Sequence, residues 1–448
     1  MTNKPKVLLS GPVCNVSGYS EHARTLADAL LGMVDQIDLY IQDTQWSSST
    51  RSLSYLKKYG SLIEKTNKLF NSLKDDQDRV NISGVFSCTY QVRPPNEFTQ
   101  MSPNDIGVTA ALETTFAPSE WVAKCNMMQH LLVVSEHAKK NIKSTKDQNG
   151  KGVSTPVTVV PFGYKENNNE VDVYSDINFT TSFNFLTVLQ LAPRKNLEFT
   201  LKCFVDQFGN DSDVGLVIKT HMHNNSTLDF HATRERIQHL LDTFNPDRKC
   251  KVYFMHGNLT EDQMNSLYNP KYIDCYITAT HGEGFGIPIF QAACNNIPVV
   301  ATNWSGHLDF LRAPVKNAAG KTKLLSHFVK VDYKIEKVRP HHLMPGIITE
   351  ECEWAYPKEE SFRRGIQFVR SSKNKITEDA ENLAIYLRDK FSIENIPHIV
   401  ECTTCTKKTK VDRLLELDAD MYTNMGIETT KTDRKIVKRN SRKIYYAI

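Results

Sequence analysis

Residues 273 to 302 follow the order of a strand, a glycine-rich loop, a short helix and a second strand. The run 273 to 279 is apolar and β-branched, as is typical of a buried strand. The loop that follows carries one acid, Glu283, and Pro288 then favours the first turn of a helix. Such a unit belongs to a parallel sheet, and its ligand is expected at the carboxyl end of the first strand.

The loop of this unit has the composition of a site for a polar ligand. Phe285 lies within it, and Gln291 follows Glu283 by eight positions. Glycines free the backbone to adopt positive φ and leave its N–H groups accessible to ligand oxygens. The glycines are Gly282, Gly284 and Gly286. The amino end of the following helix would attract a phosphate or a sugar hydroxyl.

This segment resembles the signature of the nucleotide-sugar glycosyltransferases of the GT-B fold, especially the retaining family 4 (glycosyl transferases group 1). In that family two Glu residues are separated by seven residues; here Glu283 matches the first acid and Gln291 replaces the second. The resemblance implies that the first acid and neighbouring N–H groups, including those of Gly284, Phe285 and Gly286, hold the donor sugar. Position 291 would bind the nucleotide ribose, and Gln291 accepts hydrogen bonds without the charge of a carboxylate. The alternative is that this segment is only a tight turn in an unrelated α/β domain.

Two basic residues, Arg194 and Lys195, stand between a predicted strand at 183 to 189 and a predicted helix at 197 to 208. Their cations and the amino end of the helix could converge on one diphosphate. The resemblance implies that Lys195 binds the diphosphate of the donor, with Arg194 beside it. The alternative is that Arg194 and Lys195 have a purely structural role in the loop.

Four further positions are predicted to face the same cleft. Ser305 and Gly306 follow the strand 298 to 302 and could offer backbone N–H groups, while His307 is either a donor contact or a surface residue. Gly18 lies in a loop similar to the first loop of GT-B amino-terminal domains. His281 is expected to brace the signature loop.

Glu113 follows a predicted strand at 106 to 112. The resemblance places it where family 4 often has a His against the donor sugar, so it would act on the acceptor hydroxyl or hold the sugar. The alternative is that Glu113 caps a helix or is simply an acid at the surface. The predicted catalytic residues are therefore Glu283, Glu113 and Lys195. The resemblance also implies retention of anomeric configuration, a UDP- or GDP-sugar as donor substrate and no other cofactor.

Strands and helices alternate on both sides of a polar segment, which predicts an α/β protein with two Rossmann-like doubly wound domains facing each other across a cleft. We expect an acceptor domain at 1–170, a linker at 171–182 and a donor domain at 183–400. A basic extension at 401–448 could pack on the first domain. The motifs VVSEHAKKNI and VVPFGY are similar to the end of the family 4 amino-terminal domain.

The 448 residues are 40% hydrophobic and 24% charged, and no apolar run is long enough to cross a bilayer, so we expect a soluble, cytoplasmic protein. Ten cysteines at scattered positions predict reduced thiols. Cys402 and Cys405 with His398 are either half of a zinc site or plain thiols. The sequence has no Asp-x-Asp pair flanked by apolar strands, so it predicts no divalent-metal site for a diphosphate.

Residues 431 to 443 contain seven basic side chains against Asp433. Such a tail binds nucleic acid or acidic lipid headgroups, or is simply solvated. The acceptor stays open among a glycan, a lipid-linked sugar, a protein and a modified DNA base of the phage type, and the oligomeric state is not predicted. Two alternatives to a transferase are a sugar-nucleotide epimerase of the same fold and a DNA-binding protein on a degenerate transferase scaffold.

Overall fold

The computed structural model of the chain describes residues 4–46, 49–166, 169–316 and 321–393. The Cys402 and Cys405 pair with His398, the basic tail and the whole extension 401–448 lie outside the described residues.

The first domain is built on a six-stranded parallel sheet with the order β2-β1-β3-β4-β5-β6. Two of its helices begin at capping residues: Ser17 accepts a hydrogen bond from the N–H of Ser20, and Ser135 accepts one from the N–H of Ala138. The elements are β1 (Lys6–Gly11), α1 (Gly18–Leu31), β2 (Asp38–Asp43), α2 (Leu53–Ser72), β3 (Cys88–Val92), β4 (Asp105–Thr109), α3 (Trp121–Asn126), β5 (His130–Val133), α4 (Glu136–Ser144) and β6 (Val157–Val159).

The second domain repeats this architecture, with a six-stranded parallel sheet of order β14-β11-β10-β7-β8-β9. Two antiparallel hairpins, β12–β13 and β15–β16, are attached to it. The elements are β7 (Phe183–Gln190), α5 (Leu197–Phe208), β8 (Val214–His221), α6 (Thr227–Phe244), β9 (Lys251–Met255), α7 (Glu261–Ser266), β10 (Cys275–Thr278), α8 (Ile287–Cys294), β11 (Val299–Thr302), β12 (Arg312–Lys316), β13 (Thr322–Ser326), β14 (Val329–Val331), β15 (Tyr333–Lys337), β16 (Glu353–Pro357), α9 (Glu359–Ser371) and α10 (Lys373–Lys390). Two doubly wound α/β domains were predicted from the sequence, and the structure confirms them.

The carboxyl ends of the two sheets meet. Ser135, directly after β5, donates a hydrogen bond from its hydroxyl to the carbonyl oxygen of Gly284 at 2.5 Å, across from one domain to the other. The ring of Phe285 packs against Phe162 of the first domain with centroids 5.0 Å apart. After α10 the chain returns to the first domain, where Tyr164 donates its N–H to the carbonyl of Phe391 at 2.5 Å. The loops that follow the strands therefore line a shared cleft.

The β15–β16 hairpin also connects the domains. The N–H of Thr115 donates to the carbonyl of Glu353 at 3.2 Å, and the indole N–H of Trp121 donates to the carbonyl of Gly346 at 3.2 Å. This hairpin therefore holds the loop that follows β4, the loop that carries Glu113.

One predicted strand is shorter than the sequence indicated. The strand expected at 106 to 112 ends at Thr109, because Ala111 has a φ of 54°, which takes the backbone out of extended geometry. The last strand of the first sheet, β6, ends at Val159, shortly before Pro161, which has no N–H to donate to a ladder. Among the described helices, none is both long enough and apolar enough to span a membrane.

Candidate active site

Glu283 is the centre of an ion cluster at the carboxyl end of the second sheet. Only 6% of its surface is exposed. Lys195 Nζ lies 2.7 Å from each of its two carboxylate oxygens, and Arg194 Nη1 lies 3.3 Å from Oε2. The loop after β10 and the loop after β7 therefore present opposite charges to each other.

Arg194 joins this cluster to the first domain. Its Nη2 lies 3.1 Å from Glu113 Oε1, and its Nη1 donates to the carbonyl of Gly282 at 2.5 Å. The backbone of the same residue is fixed as well, because its carbonyl accepts from the N–H of His281 at 2.8 Å. One guanidinium thus bridges the two predicted acids, Glu113 from one domain and Glu283 from the other.

The loop that carries the two cations is tied to the neighbouring strand by Asn196. Asn196 has a φ of 55° and ends a short turn, Pro193–Lys195. Its side-chain amide donates to the carbonyl of Ala279 at 3.0 Å, which ties this loop to the end of β10. Asn tolerates the left-handed region better than most residues.

The electrostatics of the cluster keep Glu283 ionised. Burial alone would raise the pKa of this carboxyl, but the Lys195 ammonium and the Arg194 guanidinium lower it from the ordinary value of 4.5 to about 2. Folding therefore favours the ionised form of Glu283. A buried, charged carboxylate of this kind is suited to accept hydrogen bonds from hydroxyl groups.

This low pKa predicts how stability depends on pH. Because the folded-state pKa lies below the unfolded one, Glu283 stabilises the protein above pH 4.5, and this contribution is lost as the pH falls from 4.5 towards 2. The contribution is about 3 kcal/mol in order of magnitude. We expect the difference in Tm between the wild type and Glu283→Gln, measured by circular dichroism, to shrink across that range. A difference that stays constant between pH 7 and pH 3 would contradict the assignment.

The loop after β11 supports Glu283 through its backbone. Ser305, with a φ of 89°, accepts the Glu283 N–H at its hydroxyl oxygen at 2.8 Å, and the Gly306 N–H donates to the Glu283 carbonyl at 2.9 Å. The expectation that the Gly306 N–H is offered to a ligand is therefore wrong for this structure. His307 is completely buried, with Nε2 2.7 Å from the carbonyl oxygen of Thr302, so the surface alternative for His307 is wrong too.

The amides at the start of α8 are the part of the signature loop that a ligand could use. Within the described ranges, no hydrogen bond is made by the N–H groups of Gly284, Phe285 or Gly286. Gly286 has a φ of 95° and directs the chain into α8. The side chain of Phe285 lies in the core between the domains, so only its backbone is available to a donor.

Two other predicted residues flank the start of α8. Gln291 donates from its side-chain amide to Asn265 Oδ1 at 3.2 Å, so its carbonyl oxygen is not used in this contact. A methyl group placed on Gly18 would lie 4.0 Å from Ile287, the first residue of the helix. The first loop of the amino-terminal domain therefore faces the amino end of α8.

His281 supports the signature loop through contacts with strand β16. Its Nδ1 lies 2.8 Å from the carbonyl oxygen of Ala355, and its ring stacks on Trp354 with centroids 5.3 Å apart. Burial lowers the pKa of His281 to about 4, so the ring is neutral at pH 7.

Sequence reasoning missed residues that the fold brings to the cleft. Ser135 was missed because its hydrogen bond to the carbonyl of Gly284 depends on how the two domains pack. Lys219 was missed although a lysine at the end of the apolar run Val-Gly-Leu-Val-Ile-Lys is a visible signal. Tyr19 stacks on Trp46 with centroids 4.2 Å apart, and no local pattern indicated this pair.

The cysteines and possible metal ligands add no further site in the part of the chain that the structure describes. The eight cysteines found there are free thiols, and all are buried. No group of three or more His, Cys, Asp or Glu side chains in those ranges is arranged to hold a metal ion.

Comparisons with solved structures identify the fold. Sucrose-phosphate synthase from Thermosynechococcus elongatus is similar with a TM-score of 0.56 at 12% identity, covering 94% of this chain and 100% of that one. HepE from Anabaena, solved with UDP and glucose, gives a TM-score of 0.53 at 11% identity over 93% of this chain and 100% of that one. A UDP-forming α,α-trehalose-phosphate synthase from Burkholderia xenovorans gives 0.53 at 9% identity over 90% and 98%.

No family model and no curated protein matches the sequence. The structural match extends over nearly the whole chain and over nearly all of each of these three proteins. Membership of family 4 stays a prediction. The chain has the GT-B fold of the nucleotide-sugar glycosyltransferases, as its signature segment indicated.

Proposed function

We propose that this protein is a glycosyltransferase that moves a sugar from a nucleoside diphosphate sugar to an acceptor hydroxyl. The observation that carries the proposal is the cluster of Glu283, Lys195, Arg194 and Glu113, placed where the two sheets of a GT-B fold face each other. HepE, a protein of the same fold, was solved with UDP and glucose. A UDP- or GDP-sugar is therefore the donor class that we expect.

The donor's diphosphate would bind between the two loops of the second domain. Lys195 and Arg194 supply the cations, and the free amides of residues 284 to 286 lie at the amino end of α8, where backbone dipoles favour an anion. Glu283 would accept hydrogen bonds from the hydroxyl groups of the sugar. Gln291, one helical turn further on, would accept from the ribose through its carbonyl oxygen.

The reaction exchanges one bond at the anomeric carbon. The bond from this carbon to the diphosphate oxygen breaks, its electron pair leaves with the nucleoside diphosphate, and the acceptor oxygen forms the new glycosidic bond. The acceptor proton passes to the leaving phosphate oxygen or to Glu113. Cations that stabilise the charge that develops on a leaving group are among the largest catalytic effects in enzymes.

Arg194 connects donor binding to acceptor activation in this proposal. In the free protein its guanidinium holds Glu113 at 3.1 Å. An incoming diphosphate would compete for the same guanidinium and would leave Glu113 free to accept a proton. Transfer with retention and without a metal ion belongs to the same proposal, because protein cations would then neutralise the diphosphate. The acceptor is proposed only as a hydroxyl compound that binds on the first domain.

Thermal unfolding in the presence of sugar nucleotides tests the proposal. We expect one member of a panel of UDP-, GDP- and ADP-sugars to raise Tm, because a ligand at 100 times its Kd stabilises the native state by about 2.7 kcal/mol. Lys195→Met is expected to abolish this rise. The bound sugar nucleotide should then release its nucleoside diphosphate slowly in water and faster when an acceptor is present.

The products separate the transferase from an epimerase. An epimerase would return an intact sugar nucleotide with an inverted sugar centre, whereas a transferase releases the nucleoside diphosphate. If no member of the panel binds and none is hydrolysed, the proposed function is wrong.

A further inference from the structure

Lys219 is a buried lysine on β8 of the donor domain. Only 6% of its surface is exposed, and within the described residues its ammonium makes no hydrogen bond and no ion pair. Burial lowers the pKa of Lys219 to about 8, so the side chain is still largely charged at pH 7. Buried charges in proteins are normally paired, because removal from water is costly. An unpaired one therefore needs an explanation.

The strand places Lys219 on the ligand side of the sheet. It pairs with Val188 of β7 and Met255 of β9 near the carboxyl end of β8. Side chains alternate along a strand, so Lys219 shares a face with Val217, which packs in the same core cluster as α8. The loop that carries Lys195 follows the neighbouring strand β7. The ammonium is thus directed to the face where the signature helix begins.

The carboxylate in this region is already used. Asp229 accepts hydrogen bonds from His256 Nε2 at 3.1 Å and from the N–H groups of His223 and Asn225 at 3.0 and 3.1 Å. His221 supplies no counter-charge, because burial and the charge of Lys219 lower its pKa to about 4 and keep its ring neutral.

The proposed donor site needs one more positive charge. Arg194 and Lys195 are balanced by Glu283 and Glu113, so the cluster carries no net charge, whereas the diphosphate of a sugar nucleotide carries two negative charges. We propose that Lys219 binds the nucleotide part of the donor, through a phosphate oxygen or a carbonyl oxygen of the base. The inference rests on the proposed function and adds a nucleotide-binding residue to the same site.

This assignment predicts that one substitution has opposite effects on stability and on binding. Lys219→Met keeps the length of the side chain and removes the unpaired charge, so Tm of the free protein is expected to rise by about 2 °C or more. The Kd for UDP or GDP, whichever the wild type binds, is expected to become about 10- to 100-fold weaker, as for a lost hydrogen bond to a charged group. Calorimetry measures the Kd, and Lys219→Arg is expected to restore part of the affinity.

The matched control is Lys202→Met. Lys202 on α5 pairs with Asp206 at 2.7 Å and with Glu359 at 2.9 Å, so its loss is expected to lower Tm slightly and to leave nucleotide affinity unchanged. Displacement experiments with the nucleoside monophosphate and the nucleoside identify the oxygen involved. If Lys219→Met loses affinity for the nucleoside diphosphate and monophosphate but not for the nucleoside, Lys219 contacts a phosphate. If it loses affinity equally for all three ligands, Lys219 contacts the base.

Two results would overturn the inference and are distinguishable. If the wild type binds a nucleoside diphosphate and Lys219→Met binds it within twofold as well, Lys219 has no role in binding and the proposed function stands. If the wild type binds no nucleoside diphosphate, both proposals are wrong.

Discussion

Replacing Glu283 with Gln is expected to lower the rate of sugar release from the donor by about 10²- to 10³-fold, the usual cost of losing one group that stabilises the reacting centre. Gln has the same shape, but its amide group would turn an N–H donor towards Lys195, which now lies 2.7 Å from both carboxylate oxygens. The cations would lose their buried counter-ion, which costs about 3 to 5 kcal/mol of stability. The rate of nucleoside diphosphate release and Tm are the measurements.

The same substitution should strengthen binding of the free nucleoside diphosphate. Glu283 competes with a diphosphate for Lys195 and Arg194, so a neutral side chain leaves both cations to the ligand. We expect UDP or GDP to raise the Tm of the variant more than the Tm of the wild type. Slow turnover combined with tighter product binding distinguishes a role in the reaction from general misfolding, which would weaken both.

Glu113→Gln is the matched control. The Glu113 side chain is 20% exposed against 8% for Glu283, and among the described residues its carboxylate pairs only with Arg194, so its loss should cost less stability. Turnover should fall if Glu113 accepts the acceptor proton. Nucleotide affinity should rise by less than in Glu283→Gln, because Glu113 competes with the diphosphate for Arg194 and not for Lys195. Wild-type turnover in Glu283→Gln would remove Glu283 from the proposed mechanism.

The parts of the fold that the sequence revealed are those with a local pattern. The helix expected at 197 to 208 agrees with α5 (Leu197–Phe208), because apolar residues recur there at helical spacing. Thr260 and Gln263 form a capping box at the start of α7, a feature that the spacing of a Thr and a Gln three residues apart encodes locally. The strand, loop and helix around Glu283 were likewise predictable from an apolar run and from the glycine and proline positions that follow it.

Long-range contacts were not readable in this way. Nothing near Glu113 indicates that it meets Arg194 of the other domain, because that contact depends on how two sheets face each other. The β15–β16 hairpin was also missed: Tyr333 and Ile335 alternate with Lys334 and Glu336, but the strand is only five residues long and most of its side chains are exposed. The Gly306 N–H was expected to serve a ligand, but it is used by the Glu283 carbonyl after folding.

Gly306→Ala is expected to abolish most of the activity without touching any charged group. A methyl group at this position would lie 2.0 Å from the carbonyl oxygen of Gly284 and 2.9 Å from that of Glu283. Both contacts are with backbone, so no side-chain rotation can relieve them and the loop must move. A displacement of about 1 Å at a reacting centre costs about 10²-fold in rate, and overpacking costs about 1 to 3 kcal/mol of stability.

Gly60→Ala separates this effect from a general effect of the substitution. Gly60 lies inside α2, and a methyl group there would meet no atom within 4 Å, so the variant should gain about 0.5 to 1 kcal/mol from the better helix propensity of Ala. Its rate of nucleoside diphosphate release should equal that of the wild type. Because the Gly306 amide and the Ser305 hydroxyl fix the backbone of Glu283 from both sides, Gly306→Ala should impair turnover at temperatures where the protein is fully folded. Turnover within twofold of the wild type under those conditions would show that the position of Glu283 tolerates movement and that its backbone contacts do not set the geometry of the site.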